Sequence, residues 1–246
     1  MKGSVFWLDL EDMPGSNARW IEDVPGVVID DAFSPRLLAS LATMAGMSAS
    51  SGRTGISNHI QNAFEGFDGY GWRDEYFEQV RNGRDDRVEE FAEYVRRHVA
   101  RIVGLSEIRQ AHDAFGRMFT TAVVRQTNDG IDWHFDDAHR EYPKTPLDLG
   151  PGSRCLSWIT YLNSPQGGQL EIAKWRPADA GEHPKRSYPL NERRFTDAPR
   201  QLVQPVLGRS VLVSSEYAHR VHPTVGPRKF ITMFIVIGDG EAITFG

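Results

Sequence analysis

The chain has 246 residues, of which 40% are hydrophobic and 25% charged, and its formal net charge at pH 7 is -5. This composition is ordinary for a globular protein that buries a core. An acidic chain lacks the lysine and arginine excess that neutralises phosphates, so we expect no nucleic-acid partner. No apolar run approaches the roughly 20 residues of a membrane span, and acids stand where a signal peptide would be apolar. We therefore expect a cytoplasmic protein without membrane association, and the single Cys155 agrees with a reducing compartment.

The first half of the chain predicts mixed structure with two helices. Residues 34–46 have the signals of a short helix, with Ser34 as N-cap and a proline directly after it. Residues 85–104 carry apolar side chains at spacings of three and four, begin with acids and end at Gly104. Between these helices, residues 50–72 predict a polar loop that either covers a site or forms irregular surface.

From residue 117 onward the sequence changes to short apolar runs separated by glycine and proline. The runs of strand length are 118–126, 133–136, 153–163, 168–175, 200–206, 209–215 and 228–238. Such runs after a helical half predict an antiparallel sandwich or barrel with helices packed outside. We expect one domain overall, in which residues 1–116 form a helical or mixed region that packs on a β core formed by residues 117–246.

The stretch NDGIDWHFDD concentrates four aspartates and an asparagine around His134. If this stretch lies on a strand, the period of two places His134 and Asp136 on the same face. Near the far end of the chain, either His219 or His222 could add a second imidazole. Two histidines and one carboxylate can hold an iron(II) ion and leave its remaining positions open for other ligands. Arg228 follows shortly after and suits a bidentate grip on a carboxylate.

Together these residues resemble the iron(II)- and 2-oxoglutarate-dependent oxygenases, most clearly the prolyl-hydroxylase-like branch and its bacterial relatives that act on amino acids and natural products. Four pieces occur in the family's order: HFD at 134–136, TYLN at 160–163, GGQLEI at 167–172, and HRVHP with a later arginine at 219–228. The resemblance implies a mainly β fold with flanking helices around a double-stranded β-helix, the jelly-roll or cupin-like core. It also implies Fe(II), 2-oxoglutarate as cosubstrate, and dioxygen.

The resemblance assigns the metal ligands to His134, Asp136 and His219, which are therefore the expected catalytic residues. His219 is preferred to His222 because the family has its ligand four residues before a proline, as His219 stands before Pro223.

The resemblance also assigns cosubstrate contacts. Arg228 would hold the distal carboxylate of 2-oxoglutarate, and Tyr161 would donate a hydrogen bond to the same group. Arg125 stands near the place where many relatives have a tyrosine, and we expect it to be a further cosubstrate contact.

Asp132 and Asp137 flank the expected metal ligands and have three possible roles. One of them would orient a ligand histidine, or they would pair with a cationic group of the substrate, or they are solvated loop acids. The loops before residue 80 and the stretches 138–152 and 175–199 are the expected cover of the site.

The implied function is hydroxylation of an unactivated C–H bond of a small molecule, either a free amino acid or a natural-product intermediate. Hydroxylation is favoured because related halogenases have a small residue in place of the carboxylate, and Asp136 is present here. The alternatives are a protein-residue hydroxylase of the same family, a non-catalytic cupin-like binding protein, and a zinc-dependent hydrolase or isomerase. The sequence does not predict an oligomeric state.

Overall fold

The computed structural model describes residues 24–45, 50–51, 57–67, 71–178, 189–238 and 240–246. The expected cover segments before residue 80 and over 175–199 lie partly outside these residues. Gly46, the last residue of the predicted 34–46 helix segment, also lies outside them.

Both predicted helices are confirmed. In the described residues the helices are α1 Pro35–Met44, α2 Ala63–Gly66, α3 Asp74–Asn82, α4 Asp86–Val103 and α5 Ala138–Glu141. The Ser34 side chain accepts a hydrogen bond from the backbone of Leu37 at 3.2 Å and begins α1. Asp85 begins α4 in the same way, and Gly104 ends it with a φ of 72°, a conformation that favours glycine.

The strands carry most of the regular structure after residue 117. In the described part of the chain they are β1 Gly26–Ile29, β2 Ser50–Ser51, β3 Ser57–Asn58, β4 Arg109–Gln110, β5 Val123–Thr127, β6 Ile131–His134, β7 Arg154–Tyr161, β8 Gln166–Gly167, β9 Leu170–Ala173, β10 Arg200–Val203, β11 Ser210–Ser214, β12 His219–Val221, β13 Thr224–Val225, β14 Arg228–Ile237 and β15 Ala242–Phe245. Each of the predicted runs overlaps one of these strands.

The strands form two main sheets that face each other. The larger sheet has the order β1-β11-β7-β14-β5-β3-β2, and the smaller has the order β10-β9-β12-β6. On β14, Ile231 and Met233 pack into the core beneath α1 and α4, whereas Phe230 and Thr232 face a cavity between the sheets. The period of two thus divides one strand between a dry core and a cavity wall.

The predicted mainly β, jelly-roll fold with flanking helices is confirmed. The prediction of a polar loop over residues 50–72 is wrong in part, because this stretch contains β2, β3 and α2. There β3 pairs with β5 and covers what would otherwise be an exposed sheet edge.

Two further features concern the predicted organisation of the chain. The division of the chain at residue 116 stays a prediction. Strand pairing crosses this position, because β1 pairs with β11 within the larger sheet.

None of the helices in the described residues is long and apolar enough to cross a membrane.

Candidate active site

Three candidate metal ligands converge where the smaller sheet meets the cavity. His134, Asp136 and His219 each offer one ligand atom, and these atoms lie within 4.8 Å of one another. His134 and His219 are partners in the β6–β12 register, and their ring centroids are 4.1 Å apart. His219 Nε2 lies 3.7 Å from Oδ2 of Asp136. Within the described ranges this is the one such cluster.

Each of the two histidines is oriented by a hydrogen bond from its ring to the backbone carbonyl two residues before it. Nδ1 of His134 donates to the backbone carbonyl of Asp132, and Nδ1 of His219 donates to that of Tyr217, each at 2.8 Å. Because a carbonyl only accepts, Nδ1 carries the proton and Nε2 carries the lone pair. Burial, together with the neighbouring His134, holds the pKa of His219 well below its usual range. His219 is therefore neutral, which is the form that binds a metal.

The carboxylate of Asp136 is fixed by the loop before β12. The backbone N–H of Asp136 donates to the Ser215 carbonyl at 2.8 Å, and the Ser215 side chain makes a hydrogen bond to the Asp136 carboxylate. The Ser157 and Ser215 hydroxyls are 2.6 Å apart, so Ser157 supports Ser215 in turn. Burial raises the pKa of Asp136, whereas His134, the Ser215 hydrogen bond and the Arg125 charge oppose that rise.

Ser215→Ala is expected to weaken iron(II) affinity by about tenfold or more, since losing an outer partner of a metal ligand typically costs roughly 10–100-fold. Ser214→Ala is the matched control, because the neighbouring Ser214 hydroxyl is buried without a hydrogen-bond partner in the described structure. Anaerobic iron(II) titration of the metal-free proteins measures both affinities. Equal affinities in the two variants would show that the backbone alone positions Asp136.

The cluster opens into a cavity of about 200 Å³ between the two sheets. The candidate cosubstrate residues Tyr161, Arg228 and Arg125 also line this cavity. Most of the remaining wall is apolar; it includes Ile131, Ile159, Leu170, Val213, Val221, Phe230 and Phe234.

Arg228 is a buried cation at the start of β14. It is 3% exposed, its Nη1 donates to the Gly168 carbonyl at 3.4 Å, and its guanidinium lies 4.7 Å from the centroid of the Phe230 ring. No carboxylate lies within ion-pair distance of it in the described part of the chain. Burial lowers its pKa to about 10, so it stays charged at neutral pH. A buried guanidinium of this kind suits an anionic ligand.

Tyr161 lies in the register opposite Phe230, on the neighbouring strand β7. It is almost fully buried, and burial raises the pKa of its hydroxyl to about 12 despite the nearby Arg228. The hydroxyl is therefore a hydrogen-bond donor at neutral pH. A donor and a cation next to each other fit a carboxylate, as the resemblance implies for 2-oxoglutarate.

The two flanking acids do not line this cavity. Asp132 is exposed, and its backbone carbonyl, not its carboxylate, orients His134. Asp137 accepts a hydrogen bond from the backbone of Arg140 and begins α5. Phe135 and Asp137 line a separate groove on the other side of the strand. Contact between these acids and a cationic substrate stays a prediction.

His222, the alternative second histidine, lies away from the cluster. Its Nε2 is 2.8 Å from Oε2 of the buried Glu171, which also accepts a hydrogen bond from Arg220 at 2.7 Å. Although burial alone would raise it, these two hydrogen bonds lower the pKa of Glu171. The geometry thus favours His219 over His222.

Sequence reasoning missed Ser157 and Ser215 as supports of Asp136, and Glu171 as the partner of His222. Serine is too common to give a signal by itself. An acid on a strand such as β9 is unusual enough to indicate a buried partner, but it does not identify that partner.

Fold and site together define a jelly-roll protein with a cluster of two histidines and one carboxylate, the arrangement of non-haem iron(II) oxygenases. Residues 119–236 match the 2OG-Fe(II) oxygenase superfamily. The matched region contains His134, Asp136 and His219, and the family that it matches is that of the iron(II)- and 2-oxoglutarate-dependent oxygenases.

One curated relative and two solved structures are similar to the chain. L-gamma-glutamyl-L-propargylglycine hydroxylase from Streptantibioticus cattleyicolor is 29% identical over 136 residues, which is 53% of this chain and 50% of the relative. The chain thus spans about half the length of the curated relative that it matches. The alpha ketoglutarate dependent epimerase SnoN from nogalamycin biosynthesis has a TM-score of 0.56 at 11% identity, covering 90% of this chain and 81% of that one.

An N-substituted L-amino acid dioxygenase from Burkholderia ambifaria AMMD has a TM-score of 0.53 at 13% identity, covering 93% of this chain and 91% of that one. At such identities the two structures establish a shared fold.

Proposed function

We propose that the protein hydroxylates an unactivated C–H bond of a small molecule, an amino-acid derivative or natural-product intermediate, with consumption of 2-oxoglutarate and dioxygen. One observation carries the proposal: His134, Asp136 and His219 converge within 4.8 Å at a cavity that Arg228 also lines. A metal-ligand cluster, together with a buried cation that has no carboxylate at ion-pair distance among the described residues, suits a metal and a dicarboxylate in one cavity.

In this proposal His134, Asp136 and His219 hold iron(II), and Arg228 and Tyr161 hold the distal carboxylate of 2-oxoglutarate. When bound, the metal and cosubstrate supply the activation of dioxygen and the oxidation of the C–H bond, with succinate and carbon dioxide as coproducts. The chain's own task is to fix these groups and to exclude water. Apolar wall residues such as Ile159 and Leu170 provide the dry surface for that task.

The size of the cavity and the curated relative support a small substrate. The cavity of about 200 Å³ lies below the roughly 300–1,000 Å³ of pockets for drug-sized ligands, so it favours a small substrate over a bulky one. The relative's name describes a hydroxylase that acts on a γ-glutamyl amino-acid compound.

Succinate formation tests the function. We expect the protein to convert 2-oxoglutarate to succinate aerobically, in a reaction that needs added iron(II) and is stimulated by a member of an amino-acid and natural-product panel. The stimulating compound should gain one oxygen atom derived from dioxygen. Stimulation by peptides alone would favour the protein-residue hydroxylase, and the absence of both iron-dependent 2-oxoglutarate binding and succinate would favour a non-catalytic binding protein.

A further inference from the structure

The wall of the cavity contains a hydroxyl group for which the described residues provide no partner. Thr232 lies on β14, lines the cavity and is 7% exposed. Its hydroxyl oxygen is buried and makes no hydrogen bond within the described part of the chain. Ser214 also has an unpaired buried hydroxyl, but it lies outside the cavity wall. A buried hydroxyl without a partner costs free energy, so one in a cavity wall indicates a ligand that pairs with it.

Two hydroxyl groups on the neighbouring strand β7 are paired, in contrast to that of Thr232. Ser157 also lines the cavity, and its hydroxyl oxygen lies 2.6 Å from that of Ser215. Thr160 faces away from the cavity, and its hydroxyl oxygen lies 2.8 Å from that of Ser210. The sheet thus satisfies these groups internally, whereas Thr232 depends on a molecule that enters the cavity.

The pairing of β14 with β7 places Thr232 between two levels of the cavity. Successive side chains of β14 that line the cavity and their partners on β7 are Phe230 with Tyr161, Thr232 with Ile159, and Phe234 with Ser157. Two residues of a strand advance by about 7 Å, so each level lies about that far from the next.

The two outer levels coincide with the two ends of the proposed 2-oxoglutarate site. At the first level, the guanidinium of Arg228 lies 4.7 Å from the centroid of the Phe230 ring. At the third level, Ser157 supports the Asp136 carboxylate through one further serine hydroxyl. A ligand that is held by Arg228 and reaches the candidate metal position therefore passes Thr232.

We propose that the Thr232 hydroxyl donates a hydrogen bond to the 2-oxo acid end of 2-oxoglutarate. This assignment rests on the proposed function and deepens it. The two methylene groups of 2-oxoglutarate adjoin its distal carboxylate, so the polar atoms beyond Arg228 are those of the 2-oxo acid. The methylene groups suit the apolar Ile159 opposite Thr232, and an anionic oxygen is a good acceptor for a hydroxyl donor.

Thr232→Val tests the hydroxyl, because valine keeps the branched shape and removes the donor. We expect the dissociation constant of 2-oxoglutarate from the anaerobic iron(II) protein to rise about fivefold or more, the effect of one lost hydrogen bond. Thr232→Ser keeps a hydroxyl and should stay within about twofold of the unaltered protein. Thr160→Val is the matched control, since it removes a hydroxyl from the opposite face of β7, and it should leave the dissociation constant unchanged.

The stability of the metal-free protein gives a second readout, which separates a ligand contact from a structural one. Because the Thr232 hydroxyl has no partner in the described structure, Thr232→Val should keep or raise the unfolding temperature. Thr160→Val should lower it, because Trp158 and Ser210 lose a hydrogen-bond partner. Added iron(II) and 2-oxoglutarate should stabilise Thr232→Val less than the unaltered protein.

The visible absorption of the iron(II) complex with 2-oxoglutarate reports which end of the cosubstrate is contacted. The band arises from charge transfer to the 2-oxo acid, so losing a hydrogen bond at that end changes its energy. We expect its maximum to shift in Thr232→Val and to stay unchanged in Thr160→Val.

Three outcomes would overturn the assignment. They are unchanged 2-oxoglutarate affinity in Thr232→Val, weaker binding with an unshifted absorption band, and a fall in the unfolding temperature of the metal-free variant like that of Thr160→Val. In each of these cases 2-oxoglutarate still binds the unaltered protein, so the proposed function stands. Failure of 2-oxoglutarate to bind the unaltered protein would instead remove both.

Discussion

His219→Ala is expected to abolish stoichiometric iron(II) binding and turnover, whereas His222→Ala is expected to retain both. His219 faces His134 across the β6–β12 pairing and lies 3.7 Å from Asp136, so its loss leaves two of three ligands. The reduction in affinity should exceed the roughly 10–100-fold typical of losing an outer partner. Anaerobic titration with iron(II) and metal analysis after gel filtration measure the binding.

His222→Ala is the matched control, because it removes an imidazole from the same short segment without removing a candidate metal ligand. His222 hydrogen-bonds Glu171, so its loss should lower the unfolding temperature without changing the metal stoichiometry. If His222→Ala lost iron and His219→Ala kept it, the ligand assignment would be wrong.

The sequence predicts the placement of His134 and Asp136 because alternation along an extended chain is a local property. β6 ends at His134, yet Asp136 still faces the cluster, because its backbone N–H bonds to the Ser215 carbonyl and keeps the segment extended. Phe135 consequently lines the groove on the other side. The alternation of side chains between the two faces thus continues past the end of β6 to Asp136.

The choice between His219 and His222 depends on strand pairing, which sequence spacing alone does not determine. His219 begins β12 in register with His134, and His222 lies beyond the end of that strand beside Glu171. A shift of one residue in this register would turn the opposite face of β12 toward the cavity. The resemblance to a known family provides the choice that periodicity leaves open.

The role of Asp132 shows why nearby acids are difficult to interpret from sequence. The sequence draws attention to its carboxylate, but its backbone carbonyl makes the contact with His134. Any residue could supply that carbonyl, so residue type carries no signal for it. The same holds for Ser215, whose approach to Asp136 requires two segments about eighty positions apart in the chain to meet across the fold.

Arg228→Ala is expected to weaken 2-oxoglutarate binding by about 2 kcal/mol or more, the loss typical of a buried charged hydrogen bond. This loss corresponds to roughly a 30-fold increase in the dissociation constant. Arg228 is 3% exposed and stays protonated with a pKa of about 10, so in the variant the distal carboxylate would be buried without a counter-charge. Arg228→Lys should recover only part of the affinity, because an ammonium group lacks the planar fork of the guanidinium.

The neighbouring Lys229 separates a specific contact from a general loss of positive charge. Its Nζ donates to the Ala42 carbonyl on α1, outside the cavity, so Lys229→Ala removes one cation without touching the proposed cosubstrate site. Anaerobic titration of the iron(II) protein with 2-oxoglutarate should give an unchanged dissociation constant in that control. An Arg228→Ala protein that binds 2-oxoglutarate as tightly as the control would contradict the cosubstrate assignment. Weaker binding in both variants by equal factors would show that net charge, and not the position of Arg228 beside Tyr161, determines the affinity.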